Sequence, residues 1–167
     1  MGAEQSVRYP IRLRDRPELR VDSTRLVDTG KLDASGAYAA GIEFAANWKG
    51  VTVQAEHFWY GVDRREPLLA DPRFDGWYAE VAWLVTGGVR RYSIARGAFG
   101  GPAASGSSSQ LGIGELELAM RFSRTDLNFR EGEAMEPGGP QSVRGGQQDI
   151  WTFGATWFAD ADARILL

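Results

Sequence analysis

Between Gly114 and Arg124 the residue type changes at every step: Leu116, Leu118, Met120 and Phe122 alternate with Glu115, Glu117, Ala119, Arg121 and Ser123. An extended strand sends successive side chains to opposite faces, whereas a helix would scatter this pattern around its circumference. The segment is therefore read as a strand with one apolar and one charged face. The same design returns elsewhere. From Asp149 to Phe158, Trp151, Phe153, Ala155 and Trp157 oppose Thr152, Gly154 and Thr156. From Phe74 to Thr86, Trp77, Ala79, Val81, Trp83 and Val85 oppose Tyr78, Glu80 and Thr86. From Gly36 to Trp48, Ile42, Phe44, Ala46 and Trp48 oppose Glu43 and Asn47, and from Val51 to Tyr60, Val53 and Ala55 oppose Thr52, Gln54 and Glu56.

Two earlier strands are expected: Val7–Arg14, with Val7, Tyr9, Ile11 and Leu13 facing away from Arg8, Arg12 and Arg14, and a weakly patterned one over Glu18–Asp28. Pro10 weakens the ladder of the first, since proline donates no backbone hydrogen bond. The segment Ala163–Leu167 begins a further strand, which brings the expected number to about eight. Antiparallel strands in a barrel place their connections alternately on two rims. Asp15-Arg16-Pro17, Lys49-Gly50 and Ala159–Asp162 are tight turns on one rim, and Thr29–Ser35, Gly61–Arg73 and Asp126–Gln148 are long polar loops on the other. The alternation holds when Gly87–Leu111 is a single connection, which makes Val89–Ala95 an excursion that does not span.

Composition removes several classes of function. A chain of 167 residues that is 43% hydrophobic folds, and a net charge of -3 gives no overall basic field for nucleic acid. No run reaches the roughly 20 apolar residues of a membrane-spanning helix, a test that barrels escape because their strands alternate. The absence of cysteine excludes disulfides and thiolate metal sites. His57 is the sole histidine, which rules out a multi-histidine metal site, and a histidine-based triad would rest on that one residue with no serine motif. Gly100-Gly101-Pro102 with Ser105–Ser109 reads as a flexible linker without the Gly-Lys-Ser ending of a phosphate loop. Glu115 and Glu117 have a spacing open to paired-carboxylate chemistry, but a hydrated polar face explains them more simply. Arg64 and Arg65 with Asp63 and Glu66 read as a hydrated loop. No enzyme activity and no cofactor is expected. Met1–Ser6 lacks the charged and apolar regions of a secretory signal, so either the protein stays inside the cell or the chain is not the whole precursor.

Alternation alone fits a soluble β-sandwich as well as a membrane barrel with lipid outside. Glutamates on the polar faces suit a watery lumen, and strands of about 10 residues or more exceed the usual soluble length. Trp48, Trp59, Trp77 and Trp157 lie near strand ends, where interfacial aromatic belts form, whereas Trp83 is expected in mid-strand. A soluble or periplasmic β-sheet binding module is the alternative.

The stretch from Gly76 to Gly87, then Arg91-Tyr92 and Arg96-Gly97-Ala98-Phe99-Gly100, resembles the later strands of the phosphate-selective porin O and P family. Gly114–Ala119 with Arg121-Phe122-Ser123 and Asp126-Leu127-Asn128 is similar to a second block, and Gly145–Asp149 with Thr152–Trp157 to a third. Arg16-Pro17-Glu18 and Leu26–Gly30 are similar as well. The resemblance implies an all-β, antiparallel, up-and-down transmembrane β-barrel of about 16 strands in the Gram-negative outer membrane. It further implies a homotrimer when full length, embedded in outer-membrane lipid and passing small hydrophilic solutes or anions such as phosphate. The resemblance implies that the chain is a C-terminal fragment of such a barrel, lacking its first half and its extreme end, or a truncated gene product. The anion-facing candidates are Arg8, Arg12, Arg14 and Arg121, since luminal guanidiniums can replace an anion's water. Against them stands their pairing with neighbouring acids, because Glu43, Glu56, Glu80, Glu115 and Glu117 share the polar face. No segment matches the basic constricting loop of the family.

Overall fold

The computed structural model describes residues 9–18, 23–102, 114–131, 135–136, 139–159 and 163–166. These residues form strands and connections with no helix. In chain order the strands are β1 (Tyr9–Ile11), β2 (Arg14–Asp15), β3 (Val27–Asp28), β4 (Leu32–Trp48), β5 (Val51–Arg64), β6 (Arg73–Leu84) and β7 (Arg90–Ser93). They continue with β8 (Ala98–Pro102), β9 (Glu115–Phe129), β10 (Met135–Glu136), β11 (Gly139–Pro140), β12 (Val143–Phe158) and β13 (Arg164–Leu166). A seven-stranded sheet runs in the order β1-β4-β5-β6-β9-β12-β13, and β2-β3, β7-β8 and β10-β11 form separate two-stranded ladders.

The central strands are long: β4 has 17 residues, β5 14, β6 12, β9 15 and β12 16. Each exceeds the roughly 9–11 residues that cross a bilayer core. β4 and β5 meet in a two-residue turn in which Lys49 and Gly50 have φ of 45° and 80°. Positive φ at both central residues is the type I′ geometry, whose twist matches that of the flanking strands. Asn47 Nδ2 donates to Thr52 Oγ1 across the turn at 2.7 Å. The stretch from Val89 to Ala95 behaves as expected: β7 and β8 pair only with each other, and β6 lies directly beside β9. The last strand also forms, with Thr156 opposite Leu166 and Phe158 opposite Arg164.

Three expectations are corrected. The Val7–Arg14 strand breaks after Ile11, so β1 pairs with β4 (Tyr9 opposite Ala34, Ile11 opposite Leu32) while β2 pairs with β3. Pro10 sits opposite Asp33 in a strand at the sheet edge, the place to which sheets confine proline. Of the expected Glu18–Asp28 strand, residues 19–22 lie outside the described residues, and only Val27–Asp28 is strand, in a ladder separate from the sheet. Trp83 is not in mid-strand, because β6 ends at Leu84. Strands also reach into the segments expected as loops, with β4 starting at Leu32, β5 ending at Arg64, β9 ending at Phe129 and β12 starting at Val143.

The chain divides into two compact units, and the long strands contribute residues to both. The first comprises Met1–Ile42, His57–Trp77 and Arg124–Ile150. Its described core is Val27, Leu32, Ala34, Val62, Phe74, Leu127 and Val143, with Ile11, Leu13 and Phe129 packed against it. Burying side chains of this size contributes about 1.5–3 kcal/mol each. The β1–β3 segment supplies Ile11, Leu13 and Val27 to that core, which explains why it folds there and not as full-length strands.

The second unit comprises Glu43–Glu56, Tyr78–Ser123 and Trp151–Leu167. Here burial is inverted relative to a soluble sheet. Glu115 and Glu117 are each 7% exposed, while Leu118, next along the strand, is 45% exposed, Trp48 69% and Phe153 70%. Phe44, Trp83 and Trp151 are exposed as well. The strand positions that alternate with the acids, such as Phe44–Trp48, Ala79–Val85, Leu116–Phe122 and Trp151–Trp157 taken at every second residue, carry no charge.

Candidate functional site

Glu115 begins β9 with its side chain turned to the polar face, where Thr86 Oγ1 donates a short hydrogen bond to Glu115 Oε2. The same hydroxyl oxygen accepts from the Leu116 N–H at 3.1 Å, so one threonine ties the end of β6 to the start of β9. Two residues along, Glu117 Oε2 accepts from Arg90 Nε at 2.7 Å and also from Arg90 Nη2. Arg90 Nη1 donates to the Gly100 carbonyl at 2.7 Å, so a single guanidinium joins both strands of the β7-β8 hairpin to the polar face of β9. Charge-assisted bonds of this kind are the stronger class.

Further along β9, Arg121 lies 3.7 Å from the Tyr78 ring centroid and 3.5 Å from Glu80 Oε2. All these groups belong to the second unit. In its described part the polar face thus carries Glu43, Glu56, Glu80, Glu115 and Glu117 against Arg90 and Arg121, and both cations are engaged with acids.

In the first unit, Arg12 Nε donates to Asp28 Oδ1 at 2.8 Å and to Oδ2 at 3.1 Å. Gly30 N–H donates to Asp28 Oδ1 at 2.9 Å. The Arg12 guanidinium, aided by the Gly30 amide, lowers the Asp28 carboxyl to about 2. Thr29 and Leu13 close the small β2-β3 ladder, with Thr29 N–H on the Leu13 carbonyl at 2.9 Å and Leu13 N–H on Thr29 Oγ1 at 3.0 Å. Arg14 stands opposite Asp28 in register, exposed.

Arg8 lies outside the described residues. Arg12 and Arg14 do not project from one continuous strand, since the ladder breaks between β1 and β2, and Arg12 is committed to Asp28. The two are nonetheless brought together around Asp28. Arg121 is where alternation placed it, on the polar side of β9, and it pairs with an acid. His57 stacks on Trp59 at 4.3 Å and lies 3.5 Å from Asp75. Arg64 and Arg65, expected in a hydrated loop, bind carbonyls: Arg64 that of Gln141, and Arg65 that of Ala34 at 3.1 Å.

Arg90, Thr86 and Asp28 carry contacts that sequence reasoning missed. Arg90 and Glu117 are 27 positions apart, and local periodicity holds no signal for a pair at that distance.

Comparison with known proteins gives two findings. The family model described as phosphate-selective porin O and P matches residues 2–167. A protein of Caulobacter vibrioides, named only as uncharacterized, is 30% identical over 149 residues, covering 87% of this chain. The chain spans 27% of that relative's length.

Proposed function

The chain belongs to the phosphate-selective porin O and P family, and from that membership we propose that it forms part of the wall of an outer-membrane barrel. The barrel is a passive channel for small hydrophilic solutes. The observation that carries this reading is the inverted burial of the second unit, with glutamates covered and tryptophan, phenylalanine and leucine exposed. In water a large apolar side chain left exposed forgoes roughly 1.5–3 kcal/mol. A set of this size would exceed the roughly 5–15 kcal/mol by which domains are stable, and contiguous apolar surface on that scale marks a membrane or partner contact. Lipid removes the deficit.

Trp48 and Trp157 stand at or next to the ends of β4 and β12 that lead into short connections, and Trp83 next to the end of β6, in keeping with an interfacial belt, whereas Trp59 and Trp77, expected near strand ends, lie inside β5 and β6. Family barrels of about 16 strands leave an aqueous lumen, to which this seven-stranded sheet would supply less than half the wall. The full-length form is read as a trimer in outer-membrane lipid. The polar face favours hydrated solutes in general and does not support a phosphate preference, since its acids outnumber Arg90 and Arg121 and bind both.

Reconstitution into planar bilayers tests the function. Stepwise ohmic currents are expected. A chain that stays monomeric and soluble without detergent, and passes no current, would instead support the soluble binding module.

A further inference from the structure

In the first unit a cavity of about 240 Å³ opens beside the β2-β3 ladder, walled by Phe58, Phe74 and Leu127 with Tyr60, and bordered by Arg14 and Asp15. It holds several waters' worth of space at about 30 Å³ each, yet falls below the roughly 300–1,000 Å³ of drug-sized pockets. A solute with one ring or a short branched body is the size that fits.

The aromatic wall is built into the sequence. A Cβ on Gly76 would lie 2.6 Å from Phe58 Cζ, so glycine at that position leaves room for the Phe58 ring beside β6. The charged groups at the mouth are unequally occupied. Asp15 Oδ1 accepts the Arg16 N–H at 2.8 Å, and Oδ2 is 3.5 Å from the Thr125 hydroxyl. Asp28, opposite Arg14, has both carboxylate oxygens on Arg12. Asp75, also at the cavity, is 3.5 Å from His57. Among the described residues no hydrogen bond is made by the Arg14 guanidinium; its charge acts on Asp28 across the ladder, whose carboxylate oxygens are already taken by Arg12.

We propose that this cavity is a solute subsite for a small organic monocarboxylate with an apolar, ring-bearing body, in which Arg14 takes the carboxylate and Phe58 and Phe74 take the ring. A planar guanidinium binds a carboxylate through two parallel hydrogen bonds. Inorganic phosphate could use the guanidinium but would leave the aromatic walls wet, and a neutral aromatic could use the walls but not Arg14. The site goes beyond the channel reading and needs only that the polar face be open to solvent.

The test is calorimetric titration of the detergent-folded chain with benzoate, and separately with inorganic phosphate and benzyl alcohol. Saturable benzoate binding is expected, roughly tenfold tighter than either control, since each loses one of the two kinds of contact. Arg14→Ala, at an exposed position that leaves the core intact, should weaken benzoate by about tenfold, and Arg14→Lys should recover part of it. Phe58→Leu should weaken benzoate while leaving phosphate unchanged. Phosphate binding as tightly as benzoate, or an Arg14→Ala titration equal to wild type, overturns the proposal. A chain that binds benzoate but passes no current would sink the channel reading and leave this site standing; a conducting chain that ignores benzoate would do the reverse.

Discussion

Arg121 lies over the face of Tyr78, its guanidinium carbon 3.7 Å from the ring centroid, with Glu80 at 3.5 Å on the same polar face. In the proposed channel an arginine held this way would offer a positive charge to the passage while sharing its donors with an acid. Arg121→Ala should therefore shift the reversal potential in a salt gradient toward cation preference, by about two- to threefold in permeability ratio, as suits a partly screened charge. An unchanged potential would remove Arg121 from the lumen wall.

Asp28 gives a pH signature. Its folded carboxyl titrates at about 2 against an ordinary 3.8, because Arg12 and the Gly30 amide favour the ionised form. A group depressed in the folded state contributes stability above the unfolded value and loses it as pH falls toward the folded one. Wild type should therefore lose resistance to urea between about pH 4 and pH 2 more steeply than Asp28→Asn. Parallel curves would show that the pair contributes nothing.

Leu118 sits on the apolar face of β9, half exposed directly after the buried Glu117. Leu118→Arg should cost up to about 2–4 kcal/mol of folding into lipid vesicles, the range that a cation reaches toward the middle of a barrel's lipid face. On a water-facing surface the same change would fall within about 0.5 kcal/mol. The size of the loss, read from urea titration in vesicles, separates the two environments.

Gly50 has φ of 80°, and a Cβ there would lie 2.7 Å from the Gly88 carbonyl oxygen. Gly50→Val should destabilise the β4-β5 turn by about 1–3 kcal/mol from backbone strain alone, while Lys49→Asn, a residue tolerant of positive φ, should be neutral or better. Unfolding midpoints of the two variants check the order.

Alternation made β5, β6 and β9 readable because each keeps a single phase over the stretch that was recognised. Where the phase slips, legibility ended. In β12, Val143 and Gly145 are buried, Gly146 takes φ of 87°, and the next buried residue is Gln148, so the spacing changes from two to three and the strand was recognised only from Asp149. β4 was likewise recognised only from Gly36, although Leu32 and Ala34 already lie in the core. The β1–β3 segment was misread because its apolar residues serve a local core reached through a break in the chain direction. Arg121 was legible from its own strand. Arg90 was not, since its partner is fixed by the folding of a hairpin onto a strand far along the sequence.

The most direct test is the environment of each face. The chain contains no cysteine, so single nitroxide labels can be placed through Leu118→Cys and Phe153→Cys on the apolar face and Glu80→Cys and Thr156→Cys on the polar one. In lipid vesicles the first pair is predicted to collide with oxygen and be shielded from a water-soluble nickel chelate, and the second pair to respond to the chelate. Labels at Leu118 and Phe153 that respond to the chelate as strongly as those at Glu80 and Thr156 would contradict the membrane-facing orientation.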